Sequence, residues 1–229
     1  MTEVSAQSLR IEINPGETVS ALLIRPPQAR ACYVFAHGAG AGMTHSSMAT
    51  IAAGLGERGI ATLRYQFPYM EKGSKRPDAP RVAHAAVRAA VAEAGRCCPS
   101  LPLFAGGKSF GGRMTSQAQA QALSPLPGVR GLAFLGFPLH PAGKPSSDRA
   151  EHLAEIKIPM LFLQGTRDAL AELSLLEPVV KGLGSRAMLH LLDGADHSFH
   201  VLKSSGRNDR EVMAEALDAF AAWADGVIG

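Results

Sequence analysis

Length, composition and charge narrow the classes to which this chain can belong. Its 229 residues are 46% hydrophobic and carry a formal net charge of only +3. That is enough apolar material for the core of one domain, in a chain too short for two comfortable ones. The basic residues are scattered apart from the run KGSKR at 72–76, which is more typical of a solvated loop than of a nucleic-acid-binding surface. We therefore expect a single domain over residues 1–229 that binds no nucleic acid.

The start of the sequence and its cysteines both favour an intracellular setting. MTEVSAQSLRIEI lacks the charged region and the apolar run of a signal peptide, and no stretch approaches the roughly 20 apolar residues of a membrane span. Cys32, Cys97 and Cys98 are odd in number and have no metal-type spacing, so neither a disulfide framework nor a zinc site is indicated. We expect a soluble cytoplasmic protein without membrane association, and a homodimer stays open.

Apolar runs of strand length alternate along the chain with helical patterns, which is typical of an α/β fold. The first two runs alternate polar and apolar residues as an antiparallel edge does, whereas the later ones are almost continuously apolar, as buried parallel strands are. The clearest helical patterns cover 82–94 and 209–224. The predicted strands are 9–13, 19–26, 31–38, 60–67, 101–107, 129–137, 159–165 and 187–194. The sequence thus predicts an eight-stranded, mostly parallel sheet flanked by helices.

A cluster of glycines surrounds Ser109 in the segment LPLFAGGKSFGGRM. Its apolar half predicts a buried strand and its continuation a helix, so Gly107, Ser109 and Gly111 form a GxSxG pentapeptide at a strand-to-helix turn. Side chains at Gly107 and Gly111 would collide with so sharp a turn, which strains the serine backbone and projects its hydroxyl. We interpret Ser109 as a nucleophile on this elbow. The alternative is a glycine-rich turn with an incidental serine.

A serine hydroxyl is a weak nucleophile until a base removes its proton, so the elbow predicts a histidine that is oriented by a carboxylate. Asp168 follows the strand at 159–165, and His197 follows the strand at 187–194. Each lies just beyond the carboxyl end of a different parallel strand, where open α/β sheets bind ligands. The sequence therefore predicts a catalytic triad of Ser109, His197 and Asp168.

Other residues of the segment LLDGADHSFH compete for these roles. His200 is an alternative base, and Asp193 and Asp196 are alternative acids, although His197 follows its strand by a shorter turn. A metal site built from these four side chains would need a convergent loop and finds no support elsewhere in the chain. We expect neither a metal nor a cofactor.

The tetrahedral intermediate of acyl transfer carries a negative oxygen that needs backbone N–H donors. The residue after the nucleophile, Phe110, is expected to supply one. The glycine-rich loop FAHGAGAGMTHSSM after the third strand offers Ala39 as the second. This loop matches no phosphate-binding pattern. The GxGxxG at 54–59 precedes a strand instead of opening a helix after one, so we interpret it as a helix end.

These motifs together resemble a known superfamily. HGAG after an early strand, GxSxG after a central one, and GTRD and GADHSF after the last two are similar to α/β-hydrolases of the dienelactone-hydrolase-related group, over residues 31–200. The segments QFPYM, GGKSFGGRM and FPLHPAGKP further resemble the small testis-expressed-protein-like branch, which includes a chromatin-complex subunit. The resemblance implies the α/β-hydrolase fold. Dienelactone hydrolases proper use a cysteine where this chain has Ser109, so their lactone substrate is not carried over. The chromatin-complex relative keeps open a non-catalytic interaction module.

The segment between the sixth strand and a helix expected near Arg149 is too short for a helical cap, so the site is expected to be open. Its walls would come from QFPYM and FPLHP. The expected substrate contacts are Phe67, Tyr69, Met70, Leu139 and His140. Such a pocket suits a small acyl ester or thioester, and Lys108 or Arg113 would favour an acidic one. We therefore expect a serine hydrolase that acts on a small-molecule acyl substrate through an acyl-enzyme intermediate.

Overall fold

The computed structural model describes residues 5–121, 123 and 125–229. All eight predicted strands are present, and their ends differ from the prediction by at most two residues. The strands are Gln7–Asn14 (β1), Glu17–Ile24 (β2), Ala31–Ala36 (β3), Ile60–Tyr65 (β4), Leu103–Lys108 (β5), Val129–Leu135 (β6), Met160–Gly165 (β7) and Ala187–Leu192 (β8).

The strands form one sheet in the order β1-β2-β4-β3-β5-β6-β7-β8. β2 pairs antiparallel with both β1 and β4, and every later pairing is parallel. The predicted antiparallel edge and mostly parallel sheet are therefore confirmed. Because β3 to β8 run in one direction, the loops that leave their carboxyl ends lie along one edge of the sheet.

Helices cover both faces of the sheet. They are Ser46–Glu57 (α1), Pro68–Glu71 (α2), Pro80–Cys97 (α3), Phe110–Gln119 (α4), Leu173–Gly182 (α5) and Asp209–Ile228 (α6). Short 3₁₀ segments cover Asp148–Glu155, Gly184–Arg186 and Lys203–Ser205. The helix expected near Arg149 is thus a 3₁₀ segment. The GxGxxG motif lies at the end of α1, where Gly59 has a φ of +71°, so its interpretation as a helix end is confirmed.

The sheet separates two apolar cores, which explains why its central strands are apolar without alternation. In β3, Val34 packs with residues of α3 and α4 on one face, whereas Tyr33 and Phe35 pack with residues of α1 and α6 on the other. Successive side chains of a strand point to opposite faces, so a strand covered on both sides needs apolar residues at every position.

The three cysteines, Cys32, Cys97 and Cys98, are free thiols.

Within the described residues, none of the helices is both long enough and apolar enough to cross a lipid bilayer.

Candidate active site

Ser109 lies between the last residue of β5 and the first residue of α4, in a conformation that is unusual for a residue with a side chain. Its φ is +50° and its ψ is −118°. The flanking glycines allow the backbone to pass close to the end of β3: an added Cβ at Gly107 would lie 2.4 Å from the carbonyl oxygen of Ala36, and one at Gly111 would lie 2.5 Å from that of His37. The elbow therefore requires glycine at both positions.

The side chains of Ser109, His197 and Asp168 form a continuous hydrogen-bonded chain. Ser109 Oγ lies 2.8 Å from His197 Nε2, and His197 Nδ1 lies 2.7 Å from Asp168 Oδ2. Because a carboxylate only accepts, Nδ1 donates to Asp168, which leaves Nε2 to accept the hydroxyl proton of Ser109. The Asp168 side chain is fully buried, while that of His197 is 22% exposed. This arrangement can remove a proton from Ser109 next to solvent-accessible space.

Gln164 fixes the orientation of the Asp168 carboxylate, a contact that the sequence analysis missed. Its Nε2 donates to Asp168 Oδ2, and its Oε1 accepts the backbone N–H of Phe137 at 2.9 Å. The other carboxylate oxygen accepts the N–H of Leu170 at 2.8 Å. Gln164 is fully buried near the end of β7. A glutamine within an otherwise apolar strand is the signal that could have revealed it, because buried polar groups need partners.

The competing side chains of the loop after β8 have other partners. His200 Nδ1 contacts the carboxylate of Asp209, whereas the imidazole in contact with Ser109 is that of His197. Asp196 Oδ1 accepts the backbone N–H of His200 at 3.0 Å, so this carboxylate folds back onto its own loop. Within the part of the chain that the structure describes, no three His, Cys, Asp or Glu side chains form a group that could hold a metal ion.

Ala39 and Phe110 both line the cavity beside Ser109. Among the described residues, neither amide donates to a protein acceptor. Two amides free to donate next to a nucleophile can hold a developing oxyanion. The carbonyl oxygen of Ala39 accepts the Tyr69 hydroxyl at 2.9 Å, which orients the peptide that follows Ala39 and fixes this part of the loop.

His37 ties the same loop to the segment after β4. Its Nδ1 donates to the carbonyl of Gly38 at 2.7 Å, and its Nε2 accepts the backbone N–H of Phe67 at 3.0 Å. Burial lowers the pKa of His37 to about 4, so the ring stays neutral at pH 7 and keeps both hydrogen bonds. The histidine of HGAG thus has a structural part in the site that the sequence analysis did not assign.

Four of the five expected substrate contacts do not line the cavity beside Ser109. Phe67 and Leu139 are completely buried, Tyr69 is 3% exposed, and Met70 packs against the core. The Phe67 ring lies 4.9 Å from that of His37 and 5.3 Å from that of Phe110, so it supports the loops from beneath. His140 is the one expected contact that lines the cavity beside Ser109.

Lys108 is directed into the protein and away from the cavity, contrary to the expectation that it would favour an acidic substrate. Its amine donates to the backbone carbonyl of His197 and lies 4.5 Å from the centre of the Phe199 ring. Burial lowers the pKa of Lys108 to about 8, although the nearby carboxylates of Asp168 and Asp196 oppose the shift. Lys108 therefore connects the elbow to the loop that carries His197.

A second serine–histidine contact lies on α4 and has a different character. Ser116 Oγ lies 2.7 Å from His152 Nε2 and donates its proton to the carbonyl of Arg113 at 2.9 Å. The Arg113 carbonyl therefore competes with His152 for the Ser116 proton, and no carboxylate among the described residues contacts His152 to orient it as a base. Burial, together with the charge of Arg113, lowers the pKa of His152 to about 4. This pair joins α4 to the 3₁₀ segment Asp148–Glu155.

A profile of the α/β-hydrolase domain family matches residues 29–225, which is well over half of the chain. The chain belongs to this α/β-hydrolase family.

Solved structures with the same architecture cover nearly the whole chain. A dienelactone hydrolase from Anabaena variabilis ATCC 29413 is 20% identical, with 96% of this chain and 94% of that one covered and a TM-score of 0.73. An alpha-beta serine hydrolase homologue from Coxiella burnetii is 19% identical, with 96% and 99% covered and a TM-score of 0.74. A serine hydrolase without a lid from Xanthomonas campestris is 17% identical, with 97% of each chain covered and a TM-score of 0.71. The predicted α/β-hydrolase fold is confirmed.

Replacing Lys108 by methionine is expected to change how stability depends on pH. The folded amine loses its proton near pH 8, whereas an unfolded lysine keeps it to about pH 10.4. The unfolded state then binds more protons, so this group makes the wild type more stable as pH rises through that window. Lys108→Met lacks this rise. Urea unfolding at pH 7, 8, 9 and 10 gives the free energy of unfolding of both proteins. If that free energy changed with pH in the same way in both, Lys108 would not be a buried, destabilised charge in the wild type.

Proposed function

We propose that this α/β-hydrolase family member is a serine hydrolase that cleaves an ester or thioester of a small acyl substrate. The observation that carries the proposal is the hydrogen-bonded chain of Ser109, His197 and Asp168. Its support comes from the strained elbow at Ser109 and from the free amides of Ala39 and Phe110. Nucleophile, base, orienting acid and oxyanion donors thus meet at one place.

In the first half of the proposed reaction, Ser109 Oγ attacks the acyl carbon while His197 Nε2 takes the hydroxyl proton. Asp168 stabilises the imidazolium, and the amides of Ala39 and Phe110 hold the negative oxygen. The bond to the leaving group then breaks, and His197 returns the proton to the departing alcohol or thiol. In the second half, water attacks the acyl-enzyme, His197 takes a proton from that water, and Ser109 regains it as the carboxylic acid leaves.

The segments QFPYM, GGKSFGGRM and FPLHPAGKP support placing the chain in the small testis-expressed-protein-like branch of the dienelactone-hydrolase-related group. That branch includes a chromatin-complex subunit, so a non-catalytic interaction module is the alternative. The hydrogen-bonded triad and the free amides favour the enzyme, because a binding module does not need either.

A fluorophosphonate is expected to add once to the wild-type protein, at Ser109, because the probe phosphorylates only an activated serine. Intact-mass analysis should show one adduct on the wild type and none on Ser109→Ala or His197→Ala. Ser116→Ala is the matched control, since it removes a serine that also contacts a histidine, and it should keep the adduct. No adduct on folded wild type would favour the interaction module, and an adduct that persists in Ser109→Ala would place the nucleophile elsewhere.

Asp168→Asn is expected to lower kcat by about 10⁴ with little effect on folding, because an amide at this position stabilises the tautomer in which Nε2 carries the proton. His197 could then no longer accept from Ser109. Steady-state hydrolysis of 4-nitrophenyl acetate measures kcat, and circular dichroism checks the fold. A decrease smaller than about tenfold would exclude Asp168 as the orienting acid.

Tyr69→Phe is expected to lower kcat about threefold to tenfold, the range for one neutral hydrogen bond. The variant keeps the ring but removes the donor to the Ala39 carbonyl, so the loop that presents the Ala39 amide is held less firmly. Burial raises the pKa of Tyr69 to about 12, so the wild-type hydroxyl stays protonated across a pH 6–9 assay. Because a positioning residue should leave substrate binding unchanged, a purely KM effect on 4-nitrophenyl acetate would contradict this role.

A further inference from the structure

The cavity beside Ser109 has a volume of about 370 Å³, and Ser109, Ala39 and Phe110 form one of its walls. Arg113, Arg149, His140 and Asp78 also line it, together with apolar residues such as Met114 and Leu170. Ligand pockets typically begin near 300 Å³, so a small substrate fills this space. The proposed acyl-transfer centre thus opens directly onto basic side chains.

Arg113 lies one helical turn after Ser109, in α4. Its Nε is buried without a hydrogen-bond partner, and none of its guanidinium nitrogens forms an ion pair within the described residues. The guanidinium lies 6.0 Å from the centre of the Phe110 ring, which is a weak substitute for an acceptor. A partly desolvated cation without an acceptor is unfavourable unless a ligand supplies one.

Arg149 brings a second positive charge to the same cavity. It lies in the 3₁₀ segment Asp148–Glu155. Burial is the main cause of the lowered pKa of Arg113, and the positive charge of Arg149 lowers that pKa further. Across residues 5–121, 123 and 125–229, the Arg149 side chain likewise forms no ion pair. Two arginines that repel each other without a carboxylate between them are complementary to an anion.

The remaining polar groups of the wall leave the cavity positively charged. Asp78 is the one carboxylate among the residues that line it, and its Oδ2 accepts the backbone N–H of Tyr69 at 2.9 Å. His140 is completely buried; its Nδ1 donates to the carbonyl of Pro141 at 2.9 Å, and its Nε2 has no partner within the described chain. Arg113 and His140 therefore each present a buried nitrogen that no described residue matches.

We propose that the substrate carries an anionic group, a carboxylate or a phosphate, which binds Arg113 and Arg149 while its ester or thioester carbonyl lies against Ser109. This inference rests on the proposed hydrolase function and specifies its substrate class. The small cavity restricts the distance between the two groups to a short chain, as in the half-ester of a short dicarboxylic acid. Guanidinium groups suit this task because each can donate two parallel hydrogen bonds to one anion.

The test compares two esters that differ only in charge: 4-nitrophenyl hydrogen glutarate and its methyl ester. The wild type should show a kcat/KM for the anionic ester at least about tenfold above that for the neutral one. Arg113→Gln and Arg149→Gln should each lower this ratio about 10- to 100-fold, the range for losing one hydrogen bond between charged groups. Arg130→Gln is the matched control: this exposed arginine lies at the amino end of β6, away from the site, and the variant should retain the ratio.

A wild type that shows no preference for the anionic ester in this pair or in the second pair described next would overturn the inference, and so would a preference that survives both glutamine variants. A second pair, 4-acetoxybenzoate and its methyl ester, places the carboxylate on the leaving group and shows on which side the anion binds. A preference for the anion in either pair that depends on both arginines supports the proposal. Competitive inhibition by inorganic phosphate, compared with that by free glutarate, distinguishes the two anions.

Calorimetric titration of glutarate into Ser109→Ala separates this inference from the proposed function. Suppose that Ser109→Ala binds glutarate, that adding Arg149→Gln abolishes this binding, and that the fluorophosphonate does not label the wild type. This combination would support the anion site, while the hydrolase proposal would fail. Labelling of the wild type combined with no dependence of either binding or selectivity on the arginines would overturn the anion site and leave the hydrolase intact.

Discussion

The close approach of the β5–α4 elbow to the end of β3 is the contact on which the rest of the site depends. Gly107 pairs with Ala36 in the parallel ladder, and any side chain at Gly107 or Gly111 would strike the carbonyls of Ala36 or His37. The chain can pass so near only because both positions are glycine. Ser109 is thereby held at a positive φ that it would not adopt alone. The loop containing Ala39 continues directly from the same end of β3, so one backbone contact positions both the proposed nucleophile and a proposed oxyanion donor.

The loops that carry Asp168 and His197 are held in a similar way, by backbone against backbone. A Cβ at Gly165 would lie 2.3 Å from the carbonyl of Ala195, which also accepts the N–H of Arg167 at 2.9 Å. Asp168 and His197 therefore belong to one packed unit, and the Lys108 amine joins that unit to the elbow. Because main-chain contacts set these positions, little side-chain freedom is lost in forming the Ser109–His197 hydrogen bond, which favours a preorganised site.

The sequence predicted the fold and the three hydrogen-bonded side chains because their signals are local. Glycines around Ser109 mark the elbow, continuous apolar runs mark buried strands, and parallel topology brings the residues after those strands to one edge. The walls of the pocket have no such signal. Phe67 and Leu139 follow strands as a substrate-binding residue would, yet both pack inward. An apolar side chain after a strand suits the core and the rim equally, and only the tertiary packing around His37 and Phe110 decides between them.

Two cations flank Ser109 in the sequence, and the structure assigns them opposite environments. Lys108 ends β5 and enters a space that already contains the carbonyl of His197, the face of Phe199 and the charge of Asp168. Its amine has a carbonyl acceptor and an aromatic face within the protein, although burial still disfavours the charged form, and these contacts suit a structural link. Arg113, in the first turn of α4, lines the cavity together with Arg149, and it forms no ion pair with any of the described residues. A basic residue thus holds the loop of His197 on one side of Ser109, while the other basic residue forms no ion pair with any described residue. Burial disfavours both charges, so the presence of an acceptor within the protein, and not charge alone, separates a cation that completes the fold from one that is complementary to a ligand.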